Sequence, residues 1–170
     1  MAAQTQPARR KVVLEHTFNA TIEEVWELWT TQKGIESWWG PDGFAASVRK
    51  LDIRAGGELA YAMTATAPDQ IEFVKKAGMP ATTQATVKFT EVVPLARLAF
   101  TQLVDFIPNV QPYKVATTVE FETVAHGVRM VLVLDAMHDE QWTKMATMGW
   151  ESQLDKLAQV LKPSEAMGSA

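Results

Sequence analysis

The sequence predicts an α+β protein: an antiparallel sheet of about seven strands, one face of it covered by a long C-terminal helix. Three observations predict it. One strand-like stretch opens the chain and six more follow in the middle, several alternating apolar and polar residues with the period of two that a half-buried strand shows. Two helical segments separate the first strand from the rest. The chain then closes with a long helical pattern. An antiparallel sheet must bury one face, and the terminal helix is its natural cover.

In order, "KVVLEHTF" places Val12, Leu14, His16 and Phe18 on one face of a strand. "NATIEEVWELWTT" switches to helical spacing, with Ile22, Val25, Trp26 and Trp29 on one stripe. Thr21 and Glu24 fit a capping box, each side chain satisfying the other residue's amide. A short second helix is expected over Lys33–Trp39, ended by Gly40 and barred from continuing by Pro41. The strands follow in "FAASVRKLDI", "ELAYAMT", "QATVKFTEVV", "RLAFTQLV", "KVATTVEFET" and "VRMVLVLDA". "RAGGE", "EVVPLARL" and "TVAHGV" read as turns between them. Two irregular stretches interrupt the series: "DFIPNVQPY", and residues 65–83, too long for a hairpin loop and carrying a short helical pattern in "DQIEFVKKAG". The final helix is expected over Asp139–Leu161, with Asp139 as its N-cap. Its apolar stripe runs through Trp142, Ala146, Trp150, Leu154 and Leu157 and holds two odd members, Gly149 and Gln153. Residues 1–10 and 163–170 read as disordered tails around one domain, residues 11–162.

Composition narrows the function. The net charge of −4 and the absence of any long basic run argue against nucleic-acid binding. Zero cysteines exclude disulfides, thiolate metal sites and a cysteine nucleophile. No apolar stretch is long enough to span a bilayer, and "MAAQTQPARRK" lacks a signal-peptide core, so a cytoplasmic, non-membrane protein is expected.

The element order, together with "WELWT", "WWGP", "RAGGE", "EVVPLARL" and "GWESQLDKLAQVL", resembles the activator-of-Hsp90-ATPase-homologue family of the START/Bet v 1-like (SRPBCC) superfamily. The resemblance covers about residues 11–161. It implies a helix-grip fold, a curved antiparallel sheet wrapped around the C-terminal helix with a cavity between them. The segment 65–83 departs from the family's pattern, which often has a short glycine turn there.

Of the three histidines, His126 sits in a turn, His16 on a strand face, and His138 beside Asp139. None shows metal-ligand spacing, and no metal or cofactor is expected. No serine lies in a nucleophile elbow, and Gly56–Gly57 is a bare turn and no phosphate cradle. No catalytic residue is assigned.

The inward aromatics and methionines carry more. If the implied cavity exists, its candidate ligand contacts are Trp38, Tyr61, Met63, Phe89, Phe121, Trp142, Gly149 and Gln153. Tyr61 and Gln153 supply the polar groups, since a buried hydroxyl or amide wants a partner. Gly149 leaves room beneath the helix or else packs closely on the sheet; both readings stand at this level. Of Trp38 and Trp39, one packs the short helix and the other borders the cavity. An exposed Trp39 would favour self-association into a homodimer. Ile71, Phe73, Val74 and Met79 make the 65–83 segment a lid over the cavity, a dimer contact or a disordered loop.

Three functions follow. The first is binding of a small hydrophobic or amphipathic molecule between sheet and helix. The second is a cyclase- or dehydratase-like enzyme, with Tyr61, His16 or His138 as acid–base groups. The third takes the family name at face value, a co-chaperone acting on an Hsp90-type chaperone.

Overall fold

The computed structural model describes residues 10–40, 43–105, 107 and 109–161. The tails, apart from Arg10, and the chain-breaking role expected of Pro41 lie outside the described residues. Among the described residues eleven elements follow one another: β1 (Lys11–Phe18), α1 (Ile22–Thr30), α2 (Gln32–Trp38), β2 (Phe44–Leu51), β3 (Glu58–Ala65), α3 (Pro68–Lys76), β4 (Thr82–Val93), β5 (Arg97–Val104), β6 (Tyr113–Val124), β7 (Gly127–Asp135) and α4 (Glu140–Leu161).

The seven strands form one antiparallel sheet in the order β1-β7-β6-β5-β4-β3-β2. It is a helix-grip α+β fold, with α4 lying against the inner face of the curved sheet. Strand alternation sets that face. Leu14 and Phe18 of β1, Val128, Met130 and Leu132 of β7, and Val119 and Phe121 of β6 all turn inward and are buried. Leu154 and Leu157 of α4 are buried in the same cluster. The opposite face is solvated. There Arg97 pairs with Glu91 and Glu120, and Arg129 pairs with Glu15 and Glu122.

Local chemistry explains the helices. The Glu24 amide donates to Thr21 Oγ1 at 3.1 Å while the Thr21 amide donates to Glu24 Oε1 at 2.8 Å, the capping box that starts α1. Thr31 is extended and serves both neighbours. Its hydroxyl donates to the Glu27 carbonyl at 2.9 Å and accepts from the Gly34 amide at 3.0 Å, ending α1 and starting α2. The Asp139 carboxylate accepts from the Trp142 amide at 2.8 Å, so α4 begins where its N-cap predicts.

The 65–83 segment is ordered around α3. Val74 is the buried residue of α3, whereas Ile71, Phe73 and Met79 stay exposed. The Thr66 amide, at 2.7 Å, and the Ala67 amide, at 3.2 Å, donate to the Gly43 carbonyl and tie the segment to the start of β2.

Both tryptophans of the "WW" pair are buried. Trp38 is the last residue of α2, and its indole N–H donates to the Leu28 carbonyl at 2.7 Å, satisfying a last-turn carbonyl of α1. Trp39 is already extended, at φ −71° and ψ 139°, which swings its ring elsewhere. It is 5% exposed, so the argument for self-association through an exposed Trp39 falls away. Among the described residues no helix is long and apolar enough to cross a membrane.

Candidate functional site

A pocket of about 170 Å³ lies between the sheet and α4. β3 contributes Tyr61 and Met63, β5 contributes Gln102, and the end of α2 contributes Trp39. Ala146, Gly149, Trp150 and Gln153 face them from α4. The i, i+3, i+4 and i+7 spacing of those four residues is one helical stripe.

Tyr61 and Gln102 meet across the intervening strand. Ala85 of β4 stands opposite Tyr61, and Val87 stands opposite Gln102. The small Ala85 leaves space for the Tyr61 ring. Gln102 Nε2 donates to the Tyr61 hydroxyl oxygen at 3.2 Å. Burial pushes the Tyr61 hydroxyl above the ordinary phenol range, opposed by side-chain hydrogen bonds from Trp39 and Gln102. Tyr61 therefore stays protonated at neutral pH and can offer a hydrogen. Trp39 packs edge-on to Tyr61 at 5.9 Å and to Trp150 at 5.6 Å, so one side of the pocket is aromatic.

Gln153 is the other polar group. Its Oε1 accepts from the Gly40 amide at 3.0 Å. Its Nε2 is buried and has no hydrogen-bond partner among the described residues. Gly40 itself sits at φ +97°, a conformation that favours glycine, so the turn after Trp39 can present its amide to α4. Lys156 Nζ donates to the Gly40 carbonyl at 2.9 Å and to the Phe44 carbonyl at 3.2 Å. One face of α4 thus holds the turn by two side chains.

Gly149 decides between its two readings. Among the described residues, a Cβ built there would meet no atom within 4 Å. The glycine does not serve close packing; it borders open space.

The structure brings Tyr61, Met63, Gly149 and Gln153 together and leaves the other sequence candidates elsewhere. Trp38 is fully buried against Trp29, with ring centroids 4.7 Å apart. Phe89 packs edge-on to Phe100 at 6.2 Å, and Phe121 packs edge-on to Trp26 at 5.8 Å, both within the main core. Trp142, in the first turn of α4, joins Val104, Ile107 and Val115 in a second small cluster. No residue of the 65–83 segment lines the pocket. His16 lies 3.3 Å from Glu151, and His138 Nδ1 lies 2.8 Å from the Tyr113 hydroxyl; neither histidine reaches the pocket wall.

Trp39, Gln102, Ala146 and Trp150 complete the wall. Gln102 carries a readable signal, a glutamine at an inward position of the Leu98–Phe100–Gln102–Val104 alternation.

A larger groove, about 490 Å³, runs over the solvent face beside Arg97, Glu120, Glu122 and Arg129. Its guanidinium groups are already paired with carboxylates, which leaves them little charge to offer a ligand. The inner pocket is the better candidate on chemistry, despite its smaller volume.

Residues 19–162 match the family model of activator of Hsp90 ATPase homolog 1-like proteins. Among solved structures, a protein from Chromobacterium violaceum is similar at 22% identity and TM-score 0.73, covering 91% of this chain and 98% of its own. One from Arthrobacter aurescens is similar at 24% identity and TM-score 0.70, covering 91% of this chain and 87% of its own. The AHSA1 protein from Silicibacter pomeroyi is similar at 20% identity and TM-score 0.68, covering 89% of this chain and 97% of its own. No curated protein matches the chain. Identities at this level carry the fold alone, and the match over residues 19–162 carries the family: the chain belongs to the activator of Hsp90 ATPase homolog 1-like family, within the SRPBCC superfamily.

Proposed function

We propose that this protein binds a small, mostly apolar molecule in the pocket between β3, β5 and α4, with residues 11–162 as the domain that carries the activity. Gly149 supports this reading most. Glycine inside a helix costs about 1 kcal/mol relative to alanine. Here a methyl group would meet nothing within 4 Å, so packing does not require the glycine. What its absent side chain preserves is room.

Size and lining agree with a small guest. An apolar cavity of about 150 Å³ holds a benzene ring, and this pocket measures about 170 Å³. Most of its wall is apolar or aromatic, with a few polar groups to orient a ligand.

The test is a thermal-shift screen of small neutral compounds against the wild type and Gly149→Met. A ligand that binds only the folded state raises its melting temperature by mass action. Compounds that stabilise the wild type and lose their effect on Gly149→Met support the proposal. Hits that act equally on both proteins, or no hits at all, contradict it.

A further inference from the structure

Resting on that reading, we propose that the pocket selects a neutral ligand of about one aromatic ring that carries a hydrogen-bond acceptor, a ketone or aldehyde carbonyl being the simplest case, and that the Gln153 amide takes the acceptor.

The orientation of that amide follows from its partner. A backbone N–H can only donate, so the Gly40 amide identifies the end of the Gln153 side chain facing it as oxygen. Lys156 holds the same turn through the Gly40 carbonyl, which keeps the pairing in place. The NH2 end therefore remains as an unpartnered donor on a side chain that lines the pocket. It is buried, and no acceptor among the described residues meets it. A buried donor without a partner is destabilising, so a ligand that brings an acceptor gains more here than one that brings only apolar surface.

Tyr61 adds a second donor. Gln102 hydrogen-bonds to it, and in that 3.2 Å contact Gln102 donates. With an N–H group turned on its oxygen, the hydroxyl's own hydrogen is left to give. The pocket is then donor-rich, and among the described residues none that lines it is Asp, Glu, Lys, Arg or His. A carboxylate or ammonium ligand would lose hydration there without meeting a counter-charge in the wall.

Isothermal titration with acetophenone, ethylbenzene and benzoate tests this. Acetophenone and ethylbenzene share a ring and differ in the carbonyl. The expected result is acetophenone binding about ten-fold more tightly than ethylbenzene, the scale of one net hydrogen bond, with benzoate weaker than acetophenone. Equal affinity for acetophenone and ethylbenzene overturns the acceptor inference and leaves the pocket reading intact. No binding by either overturns the pocket reading and this inference with it.

Gln153→Met would also strip the Gly40 amide of its partner, so the wild-type side chain is read directly. In nitrogen–proton correlation spectra the Gln153 NH2 signals are expected to move with acetophenone and far less with ethylbenzene. Signals unmoved by bound acetophenone would overturn the assignment. The near-isosteric Tyr61→Phe should narrow the acetophenone-to-ethylbenzene ratio; an unchanged ratio removes Tyr61 as the second donor.

Discussion

Gln153 and Gly40, 113 residues apart in the chain, are joined by a buried 3.0 Å hydrogen bond from the Gly40 amide to the Gln153 side-chain oxygen. This bond couples the final helix to the turn that follows the paired tryptophans. It also fixes which end of the Gln153 amide is left without a partner. Gln153→Ala leaves the Gly40 amide buried and unpaired, a loss of roughly 1–3 kcal/mol. Urea unfolding should show a lower midpoint with an unchanged slope. An unaltered midpoint would mean the bond contributes nothing net.

Gly149 should respond in the opposite direction. Because a Cβ there meets open space, Gly149→Ala removes a helix penalty of up to about 1 kcal/mol. For a chain of this length the melting temperature should rise by about 2–4 °C. A fall would show that the helix approaches the sheet more closely than its glycine implies.

The adjacent tryptophans should separate into a structural and a binding residue. Trp38→Phe keeps an aromatic ring but a smaller one, and it loses the indole N–H that serves the Leu28 carbonyl, a cost of about 1–3 kcal/mol for the hydrogen bond with a cavity term in addition. Trp39→Phe should cost less stability and shift ligand affinity more, since Trp39 lines the pocket and Trp38 does not. Equal effects on unfolding and on acetophenone binding in both variants would remove the distinction.

How much of this was legible follows from the geometry of each element. The odd members of the α4 stripe, Gly149 and Gln153, stand out in the sequence because helical spacing alone puts them on the inward face. Tyr61 and Met63 stand out because strand alternation does the same. The choice between Trp38 and Trp39 was not legible. It turns on whether the helix ends before or after one residue, and Trp39 leaves helical geometry. Trp142 shares the apolar stripe, yet the first turn of α4 packs on a separate cluster with Val104, Ile107 and Val115. Phe89 adjoins a register shift in β4 and packs on Phe100, away from Gln102. Periodicity reports which face a residue occupies; it does not report which end of the sheet the cavity is at.

Tyr61 predicts a pH dependence. Its folded-state value is raised by burial from 10.0, while the unfolded chain ionises near the ordinary value. Below about pH 10 both states hold the proton and Tyr61 contributes no slope. Above it the unfolded state releases its proton first, so stability falls by about 1.4 kcal/mol per pH unit from this group until the folded value is reached. Unfolding free energies of the wild type should drop faster above pH 10 than those of Tyr61→Phe. Parallel curves would place Tyr61 in contact with water.

Helix α3 buries one residue, Val74. Val74→Ala removes two carbons, about 1–2 kcal/mol at roughly 0.8 kcal/mol per buried methylene. Hydrogen exchange should then speed up over α3 and leave β5, β6 and β7 protected. Uniform acceleration across the sheet would show that the segment is part of the main cooperative unit.

The expected ligand position is between α4 and strands β3 and β5. Bromobenzene is close in size to the pocket, and its bromine scatters anomalously. Crystals soaked in it should give a bromine peak in contact with Trp39, Tyr61 and Trp150, beside Gly149. A peak in the outer groove by Arg97 and Arg129, or none at all, would rule that position out.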